Sequence, residues 1–378
     1  MQHTVLDRPT TRIADTTEVG ARVTAESTGP AQELPTKIAA LQAQLAELQT
    51  EVQALQTQLA ALQSNNVIQL DPYVTVDPHP ENGVVGPNII FKGANIHIVS
   101  GSGATDDHGN RTGLGNLVIG YDEAPVQAGH ASLNPGDRGG SHNLVIGRFH
   151  RFTRAAFGGL VAGEENTISN AAASVSGGIF NTASGLIASV SGGLENTASG
   201  NFASISGGFR NAASAGVTSV SGGFRNTAGR HSASVSGGFG NTADGFFASV
   251  SGGQENTASG DSASVSGGFG NIASAEAASV SGGLFNTASA LFANVSGGLE
   301  NTATGGGGVA SVSGGFRNTA SGGSASVSGG ADNTASGDFG SVLGGRSNTA
   351  GALWASVLGG RGNTANSTAS IRPRPPFP

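Results

Sequence analysis

A mainly β chain, in which a parallel β-roll or β-solenoid of fifteen-residue coils follows an N-terminal coiled-coil helix, is the fold class that this sequence predicts. Three observations predict it. Ser-Val-Ser-Gly-Gly, followed within the same unit by Asn-Thr-Ala, returns every fifteen residues over most of the second half of the chain. No proline occurs between Pro135 and Pro373, which leaves long ladders of backbone hydrogen bonds uninterrupted. Upstream, Ile38, Leu41, Leu45, Leu48, Val52, Leu55, Leu59 and Leu62 alternate steps of three and four, the spacing of a heptad seam.

Taken in chain order, residues 1–33 show no period and read as a flexible polar tail. Residues 34–66 carry the coiled coil, with Ile, Leu, Val and Leu at the a positions and Leu at every d. Its flanks are mostly Gln, as at Gln42, Gln44, Gln49 and Gln56, so charge pairing selects no partner, and the mixed a positions leave dimer and trimer open. Residues 67–158 hold short β-like runs at 88–91, 96–99, 116–119 and 143–146, separated by Gly, Pro, Asn and Asp turns. They read as an adaptor and cap that covers the open first coil. Residues 159–370 form the repeat domain. Its fourteen units start at 159 and 174 and continue in steps of fifteen, except for one seventeen-residue step, at the insert around Gly305, that leads to 311. Residues 371–378, rich in Pro, cannot continue a ladder and end the stack.

Each unit can be read place by place, counting from the Ser that opens it. A fifteen-residue period is too short for two packed helices and suits one coil of two short strands and two turns. The second place is Val in most units (Val175, Val190, Val220, Val235, Val250), a side chain that fits a pleated surface. Alternation then turns the fifteenth, second and fourth places inward, as with Ala233, Val235 and Gly237, and leaves Ser234 and Ser236 outside. The eighth place is always Asn, including Asn181, Asn196, Asn226, Asn241 and Asn256, and reads as an inward amide ladder that bonds coil to coil. The sixth place is apolar in most units, from Ile179 to Phe316, and is expected to pack between chains. The seventh place varies freely (Arg210, Arg225, Phe285, Arg317), and the fourteenth is sometimes large (Phe202, Phe247, Phe292, Phe339, Trp354). These two columns are the candidate exposed contact positions.

Composition narrows the function. Of 378 residues, 63 are Gly and 43 are charged, which is too little charge for a disordered solvating chain and too much Gly for a thick core. With no Cys there are no disulfides, thiolate metal sites or cysteine nucleophiles. A net charge of −7 offers no nucleic-acid footprint, and no apolar run is long enough for a membrane span. The polar start Met1-Gln2-His3-Thr4 is not a secretory signal, so export is expected to be unconventional or the chain to begin differently in the cell.

Chemical signals are weak throughout. Gly113-Leu114-Gly115 and Gly238-Phe239-Gly240 imitate a dinucleotide loop without the helix that such a loop must open. The Gly-Gly turns lack the recurrent Asp of calcium rolls. Asp106-Asp107-His108-Gly109-Asn110 could hold a cation, but its residues are also those of an ordinary turn, which is the preferred reading. The histidines are scattered without zinc spacing, and no His and Asp accompany the repeated Ser at a fixed offset. The expectation is therefore no catalytic residue, no cofactor and no metal.

The Ser-Val-x-x-Gly and Asn-Thr-Ala-Ser-Gly elements, with Asn116-Leu117-Val118-Ile119-Gly120 and Asn143-Leu144-Val145-Ile146-Gly147, resemble the YadA-like head repeat (Hep/Hag type) of trimeric autotransporter adhesins over about residues 116–370. The resemblance implies a left-handed parallel β-roll, three chains packed side by side, a trimeric coiled coil, and a head that binds matrix or other surfaces. The chain departs from that pattern in its longer period, in Gly at the fourth place, in a coiled coil that precedes the head, and in lacking a C-terminal set of membrane strands. The leading expectation is a non-enzymatic homotrimeric surface or fibre protein, extracellular or on a cell surface, that adheres to a protein or glycan. A receptor-binding fibre of a phage tail or tail-like particle is the alternative, followed by an ice-binding or purely architectural filament.

Overall fold

The computed structural model describes residues 30–64, 70–123, 137–368 and 371–372. The tail expected over 1–33 lies almost wholly outside these, as do 373–378. The described chain forms two units, up to Ile96 and from His97 onward.

In the first unit, helix α1 (Pro30–Gln63) spans 34 residues. Ala, Leu, Gln and Glu dominate it, all strong helix formers, and Glu33 pairs with Lys37 one turn on at 3.5 Å. All eight heptad residues are exposed, from 48% at Ile38 and Val52 to 63% at Leu41 and Leu55, so the seam is uncovered by the described residues. Strands β1 (Val74–Asp77) and β2 (Asn88–Phe91) follow as an antiparallel pair, with Val74 opposite Phe91 and Asp77 opposite Asn88. The run at 96–99 forms no strand.

The second unit is a parallel β-solenoid. The opening strands of the coils join into one sheet of seventeen strands, from β3 (Leu117–Ile119) and β4 (Leu144–Arg148) to the final pair Ile371–Arg372. The strands at the ninth and tenth places join into a second sheet of fifteen, from β5 (Arg151–Phe152) to Thr364–Ala365. A third column of single-residue bridges runs through the sixth place, from Glu164–Ile179 to Arg346–Arg361. At about 4.8 Å per step, the longer sheet extends roughly 75 Å.

Three boundaries differ from the sequence reading. First, β3 pairs with β4, and β4 with β6 (Leu160–Glu164), so two stretches assigned to the adaptor are already coils of the roll. Their spacing is irregular and their outward places hold Leu and Ile instead of Ser, which hid them. Second, Leu160 and not Gly159 pairs with Ser174, because Gly163 alone stands where later coils have Gly-Gly. Third, Ile371 and Arg372 pair with Ser356 and Val357, so the ladder takes one more strand before the prolines.

The core is thin and uniform. Val at the second place and Ala at the tenth and fifteenth are at most 1% exposed in Val175, Val190, Val220, Val235 and Val250 and in Ala228, Ala233, Ala243 and Ala248. Each buried Val contributes about 1.5–3 kcal/mol, whereas ordering each residue costs about 1–2 kcal/mol of backbone entropy. No single coil is stable under those terms, and stacking must supply the balance.

The recurrent Asn has a specific cause. The residue before it adopts a left-handed backbone, for example Arg225 at φ 53°, and its N–H turns back to bond the preceding coil, Phe209 O at 2.9 Å. The next N–H, that of Asn226, points the same way, and the Oδ1 of Asn211 in the preceding coil accepts it at 2.9 Å. The amide Nδ2 of Asn226 donates to Gly222 O within its own coil at 2.8 Å and to Gly238 O of the next at 2.9 Å. One buried side chain thus satisfies two backbone groups left over by the turns, Gly222 O and Asn241 N–H, and adds a second bond to Gly238 O, which also accepts the Phe224 N–H. Asn181, Asn196, Asn241 and Asn256 repeat the arrangement. At the fifth place only Gly fits. A Cβ on Gly238, at φ 92°, would lie 2.1 Å from Gly253 O.

Candidate contact surfaces of the roll

The two variable columns occupy the two turns of every coil. At the seventh place Arg210, Arg225, Phe285 and Arg317 have φ between 49° and 57°, and at the fourteenth Phe202, Phe247, Phe292, Phe339 and Trp354 have φ between 54° and 60°. Non-Gly residues rarely hold this conformation, which costs about 1–2 kcal/mol each. Here the same hydrogen bond back to the preceding coil offsets that cost, as in Phe247 N–H to His231 O at 3.1 Å. The left-handed turn directs these side chains away from the core, and all nine are exposed.

Each edge builds contacts along the coil axis. At the sixth and seventh places, the Phe209, Phe224 and Phe239 rings succeed one another at 5.1 Å, tilted by 39° and 37°. The guanidinium groups of Arg210, Arg225 and Arg317 lie over the rings of their preceding Phe at 4.6–5.0 Å. Arg210 donates to Glu195 at 2.5 Å and Arg317 to Glu300 at 2.6 Å, and those hydrogen bonds raise the pKa of both guanidinium groups. At the fourteenth place, Phe339 and Trp354 stack at 4.0 Å with 7° between their planes.

The outer faces of the two sheets differ. From Leu117 to Ile371, the outward first and third places of the opening strands carry no charged side chain. They are Ser in most coils, with Leu117, Ile119 and Leu144 at one end and Leu343, Leu358 and Ile371 at the other. The other sheet carries Arg151 and Asp244 among its Thr and Ser. The sixth-place residues, expected between chains, are half-buried or exposed in the single chain, up to 48% at Leu284.

One polar site, at His150, escaped the sequence reading, whereas the oxygen-rich turn at Asp107 was singled out in it. His150, fully buried, stands where the Asn column would continue toward the N-terminus. Asn166 N–H donates to its Nδ1 at 3.3 Å, which assigns the proton to Nε2, and Nε2 donates to Ile146 O at 2.9 Å. The ring therefore reproduces both halves of an amide. Asp122 Oδ1 accepts His150 N–H at 2.9 Å and lies 3.2 Å from Arg138, while burial pushes its carboxyl up. The equal offset of His150 to Asn166 and Gly147 to Gly163 was the available signal. Asp107, in the oxygen-rich turn, is 2% exposed and accepts from Ser100 Oγ, Ser102 Oγ, Thr112 N–H and Thr112 Oγ1 at 2.5–3.0 Å. Those bonds, Ser100 foremost, hold its carboxyl well below the usual range. Both oxygens are taken by neutral donors, the signature of a structural turn.

Among the described residues, no three His, Asp or Glu side chains gather in a metal-binding arrangement, and no helix is long and apolar enough to cross a membrane. The concavity over Gly120, Gly147, Gly163 and Gly178 is an open trough along the coils. No protein-family model matches the chain, and no curated protein is a significant match to it.

Proposed function

We propose that this chain is a non-enzymatic, homotrimeric surface or fibre protein of the YadA-like head class, adhering through the variable edges of its roll to a protein or glycan on another surface, outside the cell. The observation that carries this reading is the division of labour within each coil. Buried places repeat almost without change, whereas the residues that the left-handed turns push outward differ from coil to coil. Such a scaffold offers many separate contacts along a rod and no single shaped pocket. The exposed heptad seam of α1 supports association of chains, and so do the uncharged first and third places of the seventeen-strand sheet, since loss of charge marks the centre of interfaces.

Deleting whole units in register tests the reading. Removing residues 311–325, then 311–340, should lower attachment of protein-coated beads to matrix-protein, glycan or bacterial-envelope surfaces stepwise, with the remaining coils intact by circular dichroism. Attachment unchanged by the longer deletion, or attachment to none of these surfaces, would overturn it.

A further inference from the structure

We propose that the edge formed by the sixth and seventh places docks against the same edge of a second copy, antiparallel, about a two-fold axis at Phe239 and Gly240. The inference does not rest on the trimeric or adhesive reading, because every chain carries this edge.

Three observations carry it. The first is charge. Along this edge Arg210 is paired with Glu195, Arg317 with Glu300 and Arg346 with Asp332, each within its own chain. Arg225 and Glu255 are not so paired. Arg225 lies over the Phe224 ring, and Glu255 receives only a 3.4 Å contact from Gln254. These two opposite charges stand one coil on either side of Gly240. An antiparallel two-fold axis there sets Arg225 of each copy against Glu255 of the other, twice.

The second observation is the sixth-place column, which reads Ile179, Leu194, Phe209, Phe224, Phe239, Gln254, Phe269, Leu284 and Leu299. About Phe239 it is nearly a palindrome. Phe209 meets Phe269, Leu194 meets Leu284 and Ile179 meets Leu299, so apolar side chains oppose apolar ones at seven of the nine coils, and Phe224 meets Gln254 at the other two. The central coil presents Phe239 at 40% exposure beside Gly240, whose missing side chain leaves room for close approach. A contact that is self-complementary about a two-fold axis closes on itself as a pair.

The third is the distribution of charge along the roll. At the seventh place of the edge itself, Arg210 and Arg225 lie on one side of Gly240 and Glu255 and Glu300 on the other, with Glu195 already paired to Arg210; Arg230, Asp244, Asp261 and Glu276 stand at the eleventh to thirteenth places, away from this edge. Parallel, in-register contact would set like bands together, and antiparallel contact sets opposite bands together. Nine coils of about 4.8 Å, two side chains wide, form a patch of roughly several hundred Å² per chain, at the small end of specific interfaces. Pairing is therefore concentration-dependent and weakened by salt.

Sedimentation velocity on the full chain tests this. At about 50 mM salt, wild type should exceed its basal mass as concentration rises, reaching a pair if the basal species carries one edge and larger species if it carries three. Arg225→Glu or Glu255→Arg alone sets like charges together twice and should weaken that association about tenfold. Mixing the two separately assembled variants restores opposite charges at both contacts and should restore association. Amide hydrogen exchange that matches wild type would show that both variants are folded. Wild type that never exceeds its basal mass, single variants that associate as wild type does, or a mixture no more associated than its components would each overturn the proposal.

Discussion

Val235→Asp combined with Val250→Asp is expected to break the roll open at two adjacent coils. Both valines are 1% exposed and stack directly on each other in the opening sheet. Neither has a cation or a donor at hand in a core of Val and Ala, so each carboxylate would be buried unpaired. That is one of the few mechanisms that costs more than about 4 kcal/mol at a single site. Because coils contact only their neighbours, the lesion should appear as fast amide exchange over residues 219–265 and a lower melting temperature. Arg225→Glu, at an exposed left-handed turn, should leave both unchanged at low concentration. Equal destabilisation by the two kinds of substitution would show that inward and outward places are wrongly assigned.

Asn241→Leu is the second large effect. The substitution keeps side-chain volume and removes every polar atom, which orphans Asn256 N–H and Gly237 O, bonded to Asn241 at 2.9 and 2.8 Å, and leaves Gly253 O with the Phe239 N–H alone. Each orphaned buried group costs about 1–3 kcal/mol, so the loss for two should be roughly 2–6 kcal/mol, more than deletion of a methyl group from the core. Exchange of the Asn256 amide, measured by mass spectrometry or NMR, should rise far more than that of Val250. Retained protection at Asn256 would mean that the amide ladder contributes little.

The middle of the roll was legible because its period is almost unbroken and its side chains are chosen by burial. Val at the second place and Asn at the eighth have one environment each, repeated coil after coil. The ends were less legible. Leu117, Leu144 and Leu160 belong to the same sheet as Ser174, but the steps between them are 27, 16 and 14 residues, so counting in fifteens misplaced the first unit by one. His150 was unreadable as part of the Asn column because a lone imidazole carries no pattern, although its two ring nitrogens match an amide's acceptor and donor. The left-handed turns were hidden for a different reason. Sequence signals positive φ through Gly, Asn or Asp, whereas Phe202, Arg225 and Trp354 hold it through a hydrogen bond to the neighbouring coil that exists only once the coils stack. The contact columns were therefore found by their variability, while the geometry that exposes them was not.

The proposed homotrimer follows from a core this thin and from a heptad seam left exposed among the described residues. Light scattering coupled to chromatography measures it most directly, in about 0.5 M salt to screen contacts between rods. With a chain of 37.0 kDa, three copies give 3 × 37.0 = 111 kDa, and a single species near that mass at micromolar concentration is the predicted result. A stable, folded species near 37 kDa under the same conditions would contradict it.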